Sequence, residues 1–460
     1  MKSFLSNTKH LHFVGIGGIG MSGMAELLHN HGFKISGSDL NKSNRTKHLS
    51  NYKNIKISYK HKKENIANCD LLVYSSAINK SNPEIQSAKK NNIPIMKRAE
   101  LLGELLKIKD ISIAVSGTHG KTTTSSMLGS ILYEAKTNPT LIIGGIVKKF
   151  NSNNITGDGD IIVVEADEFD KSFLELSPSY SIINNLDLEH LDCYDNIEEL
   201  FKCFTQFANS IAFYGKVAFN NDDDNILKII NKIRKPKISF GIKNNSTIQA
   251  KNIFYNQELT TFDIFISNSK KTLKIALNCP GEHNIYNALA ASTIALELDI
   301  PKKHIINGLN NYCGVKRRFD IRYNKKHMII DDYAHHPNEI LETLKAAKNG
   351  WDKRIISIFQ PHLFSRTNNF YNEFADALNL SDIIIITEIY PARELPIKGV
   401  TSKLIYNTIR NKNKHYISKQ EEIINETVNI AKNGDMIIVM GAGNINNVIA
   451  PLIEQLDEIN

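Results

Sequence analysis

The sequence predicts an α/β protein of three domains, and three stretches carry that prediction. A glycine turn, Gly15 to Gly20, joins an apolar run to a helical one. A second, Gly117 to Gly120, has the same setting and leads into Lys121, Thr122, Thr123 and Thr124. From His327 to Met440, apolar runs alternate regularly with amphipathic segments. Strands alternating with helices build parallel sheets, and ligands of such sheets gather at the carboxyl ends of the strands.

The bounds agree with this class. A chain of 460 residues is too long for one core. Domain boundaries are expected near Lys107 and just ahead of Lys316, giving 1–106, 107–314 and 315–460. Hydrophobic residues at 42% and charged ones at 23% describe an ordinary globular chain. The net charge of +8 comes from scattered lysine, without a dense basic stripe interleaved with aromatics. Small polyanionic substrates therefore fit it, and a nucleic-acid partner is not expected. Cys69, Cys193, Cys203, Cys279 and Cys313 lack Cys-x-x-Cys spacing and read as free thiols of a reducing compartment. No apolar run approaches the ~18 residues of a membrane span, so a cytoplasmic chain without a membrane partner is expected.

In the first domain, Leu11 to Val14 reads as a strand. It runs into Gly15-Ile16-Gly17-Gly18-Ile19-Gly20, and Met21, Met24, Leu27 and Leu28 then share a helical face. The next strand, Phe33 to Gly37, ends in Ser38 and Asp39. This is the Gly-x-Gly-x-x-Gly arrangement with an acidic residue about twenty positions on, which seats a pyrophosphate and a ribose. A nicotinamide cofactor and a UDP-sugar both fit it. Leu71 to Tyr74 delivers Ser75 and Ser76, and Pro94 to Met96 delivers Lys97 and Arg98. Glu100 to Leu106 closes the domain as a helix.

The second domain opens with the strand Ile111 to Val115 and Gly117-Thr118-His119-Gly120-Lys121-Thr122-Thr123-Thr124. Glycines let the backbone approach a phosphate, N–H groups at the helix start point at it, and the lysine neutralises the outer oxygens. The general pattern asks for a glycine where Val115 stands, so this is a tighter variant of the phosphate loop. It implies a nucleoside triphosphate, with Thr122 toward Mg²⁺. The strands Asp160 to Val164 and Ser181 to Ile183 end in Glu165-Ala166-Asp167-Glu168 and in Asn184 to His190. Glu165 and His190 with Thr122 make a magnesium site; alternatively, His190 is a capping or core histidine. Asp222-Asp223-Asp224 reads as a solvated turn and helix N-cap, and 247–277 as β-hairpins. Asn284 and Asn287 open an alanine-rich helix, either capping it or reading an adenine edge. Arg318 follows at the second boundary, where an arginine can close on a γ-phosphate.

The third domain is a second doubly wound unit. Its strands, His327 to Ile330, Arg354 to Phe359, Ile383 to Thr387 and Met436 to Met440, end in polar segments that form one substrate-facing rim. The pair His335-His336 lacks acidic or cysteine partners at zinc spacing.

With these residues assembled, the chain resembles the Mur ligase family along essentially its whole length. The likeness rests on GIGGIGMSG (Gly15 to Gly23), GTHGKTTT (Gly117 to Thr124), EADEFDKSFL (Glu165 to Leu174) and HNIYN (His283 to Asn287). DDYAHHP (Asp331 to Pro337), the segment Gln360 to Arg366, and TEIYPARE (Thr387 to Glu394) complete it. The resemblance implies an ATP- and Mg²⁺-dependent amide ligase that joins L-alanine to the carboxylate of UDP-N-acetylmuramate through an acyl phosphate. It implies the UDP-sugar on the first domain, at Gly15, Gly17, Gly18, Gly20, Ser38, Asp39, Ser75, Ser76 and Arg98. ATP would lie between the second and third domains, on Gly117 to Thr123, with Asn284 and Asn287 by the adenine and Arg318 at the γ-phosphate. Thr122, Glu165 and His190 would surround magnesium, and His335 and Arg366 would lie near the amino acid. One departure is Leu363, where some members carry arginine. The segment Phe169 to Leu174 resembles the alanine-adding members more than those that attach a murein tripeptide. The other rivals are a nicotinamide dehydrogenase, which has no need of a second phosphate loop, and a nucleotide-dependent binding module, which has no need of the third domain. A monomer or weak homodimer is expected.

Overall fold

The computed structural model describes residues 5, 8–187, 194, 196–392 and 394–458. Three sheets appear, as the alternation predicts. The first has five strands: β1 (His10–Val14), β2 (Lys34–Ser38), β3 (Ile55–Ser58), β4 (Leu71–Tyr74) and β5 (Ile95–Lys97), in the order β3-β2-β1-β4-β5 and all parallel. Leu11 and Phe13 point from β1 into a core shared with Met21, Met24, Leu27 and Leu28 of the helix Ile19–Asn30. That is the stripe expected of an amphipathic helix against a sheet.

The second sheet has ten strands: β6 (Ile111–Ser116), β7 (Thr140–Val147), β8 (Ser152–Ile155), β9 (Ile161–Glu165), β10 (Tyr180–Ile183), β11 (Val217–Asn220), β12 (Lys237–Gly241), β13 (Ile248–Asn256), β14 (Leu259–Ile266) and β15 (Lys271–Asn278). Their order is β15-β14-β13-β12-β11-β10-β6-β9-β7-β8. β6 lies between β10 and β9, parallel to both, with Val115 opposite Glu165 and Ser116 opposite Ile183. This register brings three sequence-distant strand ends together. The helix Lys121–Glu134 that follows β6 is buried from Thr123 to Leu132 and is rich in small residues for a reason. A Cβ on Gly308 would stand 2.5 Å from the Ile131 Cα, and Ser130 Oγ donates to the Gly308 carbonyl at 2.8 Å. The helix Lys302–Asn310 packs backbone to backbone here, where larger side chains would not fit.

The third sheet contains β16 (Asp320–Asn324), β17 (Met328–Asp332), β18 (Ile355–Phe359), β19 (Ile383–Ile386), β20 (Lys414–Tyr416) and β21 (Met436–Met440), in the order β16-β17-β21-β18-β19-β20. Only β16 pairs antiparallel. Its isoleucine-rich strands are buried on both faces, as continuous apolar runs in a parallel sheet should be. Ile330, Ile384 and Ile438 pack with the helices Pro337–Gly350 and Phe364–Leu378. Ile329, Ile385 and Ile437 pack with Gln420–Ile430 and Ile449–Glu458 on the opposite side.

The chain gathers into two compact units. One comprises Met1–Lys251, Asp263–Ile275 and Tyr286–Tyr312; the other comprises Asn252–Phe262, Ala276–Ile285 and Cys313–Asn460. The first sheet and the second sheet from β6 to β12 fall in the first unit, where one apolar cluster runs from Leu11 to Ile233, while the residues of β13, β14 and β15 are divided between the two units. Among the described residues, no helix is long and apolar enough to cross a membrane.

Candidate active site

The phosphate loop forms at the end of β6 as its sequence predicts. Gly117 (φ 127) and Gly120 (φ 78) hold left-handed backbone, and a Cβ on Gly120 would run into Asn287 Oδ1. Only glycine fits that position without strain. The loop is braced from the neighbouring strand end. Thr118 N–H donates to the Asn185 carbonyl at 3.1 Å, His119 N–H to Asn185 Oδ1 at 2.7 Å, and Asp187 N–H to Thr118 Oγ1 at 2.8 Å. His119 Nε2 lies 3.3 Å from Asp187 Oδ2. Thr124 ties the helix start to Asn287, donating to its Oδ1 at 3.0 Å, and accepts from Asn184 Nδ2 at 3.0 Å. Thr123 is buried beside it.

Lys121 turns back over its own loop. Its ammonium donates to the Gly117 carbonyl at 2.7 Å, the Thr118 carbonyl at 3.1 Å and Glu168 at 2.7 and 2.9 Å. Glu168 is 1% exposed, so this is a nearly buried pair. Glu165 ends β9, where its Oε1 accepts from the Gly144 N–H at 2.6 Å. Burial pushes its carboxyl upward, against hydrogen bonds from Gly144 and the Thr122 hydroxyl. A half-buried carboxylate meeting a threonine hydroxyl is a hard, all-oxygen donor set, and it fits Mg²⁺. His190 lies outside the described residues. Among those that are described, no group of three or more His, Cys, Asp or Glu could hold a metal ion.

The first-sheet turn gathers its predicted partners. Gly15 has φ 83, and the Gly15 and Ile16 N–H groups donate to the Ser38 carbonyl at 2.8 and 3.1 Å. Gly17 N–H donates to Asp39 Oδ2 at 2.8 Å. A Cβ on Gly15 would touch Ser75 at 3.4 Å, and one on Gly20 would meet Arg98 Nη1 at 3.0 Å. Asp39, Ser75 and Arg98 thus ring the turn at the carboxyl ends of β2, β4 and β5. Gly18 and Ser76 are exposed beside it. Ser38 is a correction: its hydroxyl points away from the ring, donating to Glu84 Oε2 at 2.6 Å. Ser38 follows the period-two alternation of β2, which sends its side chain to the other face of the sheet. Its backbone shapes the turn; its hydroxyl does not face a ligand there.

In the second unit, Arg318 Nη1 donates to Glu339 Oε1 at 3.3 Å. Burial lowers its pKa, but the charges of Glu339 and Asp332 outweigh that and hold it above its usual range. Arg317 (φ 61) and Phe319 (φ 42) flank it in left-handed backbone. The Arg317 N–H is held by Asp320 at 3.2 Å and that of Phe319 by Asp332 at 2.8 Å. His335 Nδ1 lies 3.0 Å from Glu339 Oε2, and its ring is 5.7 Å from that of His362. Arg366 is 9% exposed, and its Nη1 has no hydrogen-bond partner among the described residues. The strand ends bearing these groups are laced together: Tyr390 N–H donates to the Pro361 carbonyl at 2.8 Å and Leu363 N–H to the Tyr390 carbonyl at 3.0 Å. Leu363 holds φ 70 there. Asn284 is buried, donating to the Pro280 carbonyl at 2.7 Å.

Sequence reasoning missed Glu168, Asp332, Glu339 and Asn184 as partners of the predicted residues. Glu168 and Asp332 stood in the family motifs, in acidic pairs at strand ends; nothing in their spacing told which carboxylate would meet a cation. The acidic run at Asp222 needs a second correction. Asp223 does cap the helix Asp224–Ile229. Asp222, however, accepts from the N–H groups of Ile242, Lys243 and Asn244 and from the Tyr286 hydroxyl, anchoring a loop instead of facing solvent.

Comparison with known proteins agrees with this geometry. Residues 10–109 match the profile described as Mur ligase family, catalytic domain. Residues 115–295 match Mur ligase middle domain, and 317–443 match Mur ligase, glutamate ligase domain. A UDP-N-acetylmuramate–L-alanine ligase of Syntrophus aciditrophicus (strain SB) is 41% identical over 455 residues, covering 98% of this chain and 94% of that protein. One of Sulfurihydrogenibium sp. (strain YO3AOP1) is 42% identical over 464 residues, covering 99% of each. The crystal structure of a UDP-N-acetylmuramate–alanine ligase from Thermotoga maritima superposes with a TM-score of 0.82 at 28% identity, covering 98% of this chain and all of that one.

Proposed function

The chain belongs to the Mur ligase family, and from that premise we propose that it joins L-alanine to the carboxylate of UDP-N-acetylmuramate with cleavage of ATP. The full-length likeness to ligases of that name carries this reading. We assign residues 1–106 to the UDP-sugar, 107–314 to ATP and 315–460 to the amino acid. The protein is proposed to act in the cytoplasm as a monomer or weak homodimer, in peptidoglycan precursor synthesis.

A carboxylate does not acylate an amine at neutral pH, because oxide is a hopeless leaving group. In the proposed reaction a carboxylate oxygen of the sugar attacks the γ-phosphorus, and ADP leaves. The uncharged amine of L-alanine then attacks the acyl carbon, and phosphate departs from the tetrahedral intermediate. Catalysis of this kind rests on positioning and on spreading charge. The loop from Gly117 to Thr123 cradles the phosphates with the N–H groups that Asn185 does not hold, Lys121 neutralises the outer ones, and Arg318 meets the γ-phosphoryl group. Asn284 and Asn287 lie by the adenine. Magnesium, held by Thr122, Glu165 and His190, would draw charge from the phosphate oxygens. Gly15, Gly17, Gly18 and Gly20 with Asp39, Ser75, Ser76 and Arg98 hold the UDP-sugar. Arg366 offers the alanine carboxylate a buried guanidinium, with His335 beside it.

Phosphate release by the purified protein tests this across a grid of UDP-sugars and amino acids. Release is expected only with ATP, Mg²⁺, UDP-N-acetylmuramate and L-alanine together. Equal or better turnover with murein tripeptide would reassign the amine, and reduction of a nicotinamide cofactor would overturn the ligase.

A further inference from the structure

Strands covered on both faces in a parallel sheet are normally apolar on both, and one face of β1, β2 and β3 departs from that. His10 and His12 of β1 lie opposite Lys34 and Ser36 of β2, and Ser36 and Ser38 lie opposite Lys56 and Ser58 of β3. A cavity of about 330 Å³ sits over this face, walled on its far side by Asn65, Ala67 and Asn68. Its floor is a hydrogen-bonded row. His10 Nδ1 lies 2.8 Å from the Asn68 carbonyl, and the Ser36 hydroxyl lies 2.8 Å from both His10 Nε2 and His12 Nδ1. A ring nitrogen facing a carbonyl must carry the proton, so neutral His10 accepts from Ser36 and His12 donates to it. His12 Nε2 is buried without a hydrogen bond, 3.7 Å from Glu84 Oε1.

The charged side chains that line the cavity are of one sign, while Glu84 lies behind the floor, bonded to Asn65 and 3.7 Å from His12 Nε2. Lys34 and Lys56 line the cavity, no Asp or Glu does, and among the described residues neither lysine has a carboxylate within salt-bridge distance. Like charges on one face of neighbouring strands repel. Burial and the nearby Lys34 and His12 also lower the His10 pKa, against the hydrogen bond to the Asn68 carbonyl and the charge of Asp70. An anion would relieve both. The cavity takes His10 and His12 from the amino-terminal part of β1 and runs along β2 and β3 to Gly37 and Ser58, and none of Gly15 to Gly20, Asp39, Ser75 or Arg98 lines it. At about 330 Å³ it has room for a small molecule.

We propose that this cavity is a separate binding site for a small oxyanion, a phosphate or polycarboxylate compound, held by Lys34 and Lys56 over the His10–Ser36–His12 floor. Calorimetry of the full chain tests it, with ADP and UDP-N-acetylmuramate saturating so that both glycine turns are filled. Pyrophosphate and citrate are titrated separately, which tells phosphate from carboxylate recognition. One saturable site is expected for at least one of them, weakened about tenfold or more in Lys34→Ala/Lys56→Ala through loss of two charge-assisted contacts. Both lysines are exposed, so the double variant should keep its melting temperature. No saturable binding of either anion, or binding that survives the double substitution, would overturn the proposal.

Discussion

Lys121 has three ammonium protons, and Gly117, Thr118 and Glu168 engage them. A triphosphate that takes this ammonium must displace at least one of those partners, and Glu168 is the one that competes in charge. Glu168→Gln is therefore expected to tighten nucleotide binding by about tenfold, since an amide holds the lysine less strongly than a carboxylate. Calorimetric titration with ADP measures it, and weaker binding would mean that Glu168 presents the lysine to the phosphates. Glu84 makes a second case. It is 0% exposed, and although burial raises its pKa, the neighbouring His12, Ser38 and Asn65 side chains hold it at about 2. A carboxyl depressed on folding adds stability above its unfolded value of 4.5 and loses it as pH falls toward about 2. Glu84→Gln should cost on the order of 3 kcal/mol at pH 7 and much less near pH 2. Urea melts at both pH values check the sign, and an equal loss at both would remove the charge from the explanation.

Among the elements, the two glycine turns were legible because their chemistry is local. Strand, turn and helix are contiguous, and a glycine pattern states which backbone must approach a phosphate. The buried runs at β4, β18 and β21 were legible for the same reason. β3, β8, β12 and β20 were not singled out: Ile55–Ser58, Ser152–Ile155, Lys237–Gly241 and Lys414–Tyr416 are short and mixed, and pairing with a neighbour makes them strands. The ring of Asp39, Ser75 and Arg98 was foreseen as a set of strand ends, but the face taken by Ser38 depended on the register in which β2 pairs with β1. A one-residue slip in that register flips every side chain. Gly120→Ala tests the local part of this reading. Its positive φ and the clash with Asn287 Oδ1 should weaken nucleotide binding by more than about 100-fold while the chain stays folded. Gly17→Ala would stand 2.7 Å from Asp39 Oδ2 and should raise the KM for the UDP-sugar without changing that for ATP. Steady-state kinetics with each substrate varied separates the two turns.

For the whole molecule, the two phosphate-binding turns belong to different sheets of the first unit, and the proposed amino-acid rim belongs to the second. Lys121→Ala should therefore abolish turnover and leave UDP-N-acetylmuramate affinity nearly unchanged, and a large loss by calorimetry would show the two turns to be one site. The proposed reaction turns on the acyl phosphate. The described residues offer a phosphate clamp, and the serines that do meet a histidine, Ser36 with His10 and His12 and Ser38 with His61, are buried in the first sheet and away from the phosphate loop; Cys69, Cys203 and Cys279 are buried free thiols, and burial raises Cys69 to about 11. The substrate carboxylate should then attack phosphorus itself, and that oxygen must leave with the phosphate. With UDP-N-acetylmuramate labelled in its carboxylate with ¹⁸O, mass spectrometry of the phosphate released by a productive turnover should find one label. Unlabelled phosphate would contradict the route and, with it, the proposed roles of Lys121, Glu165 and Arg318.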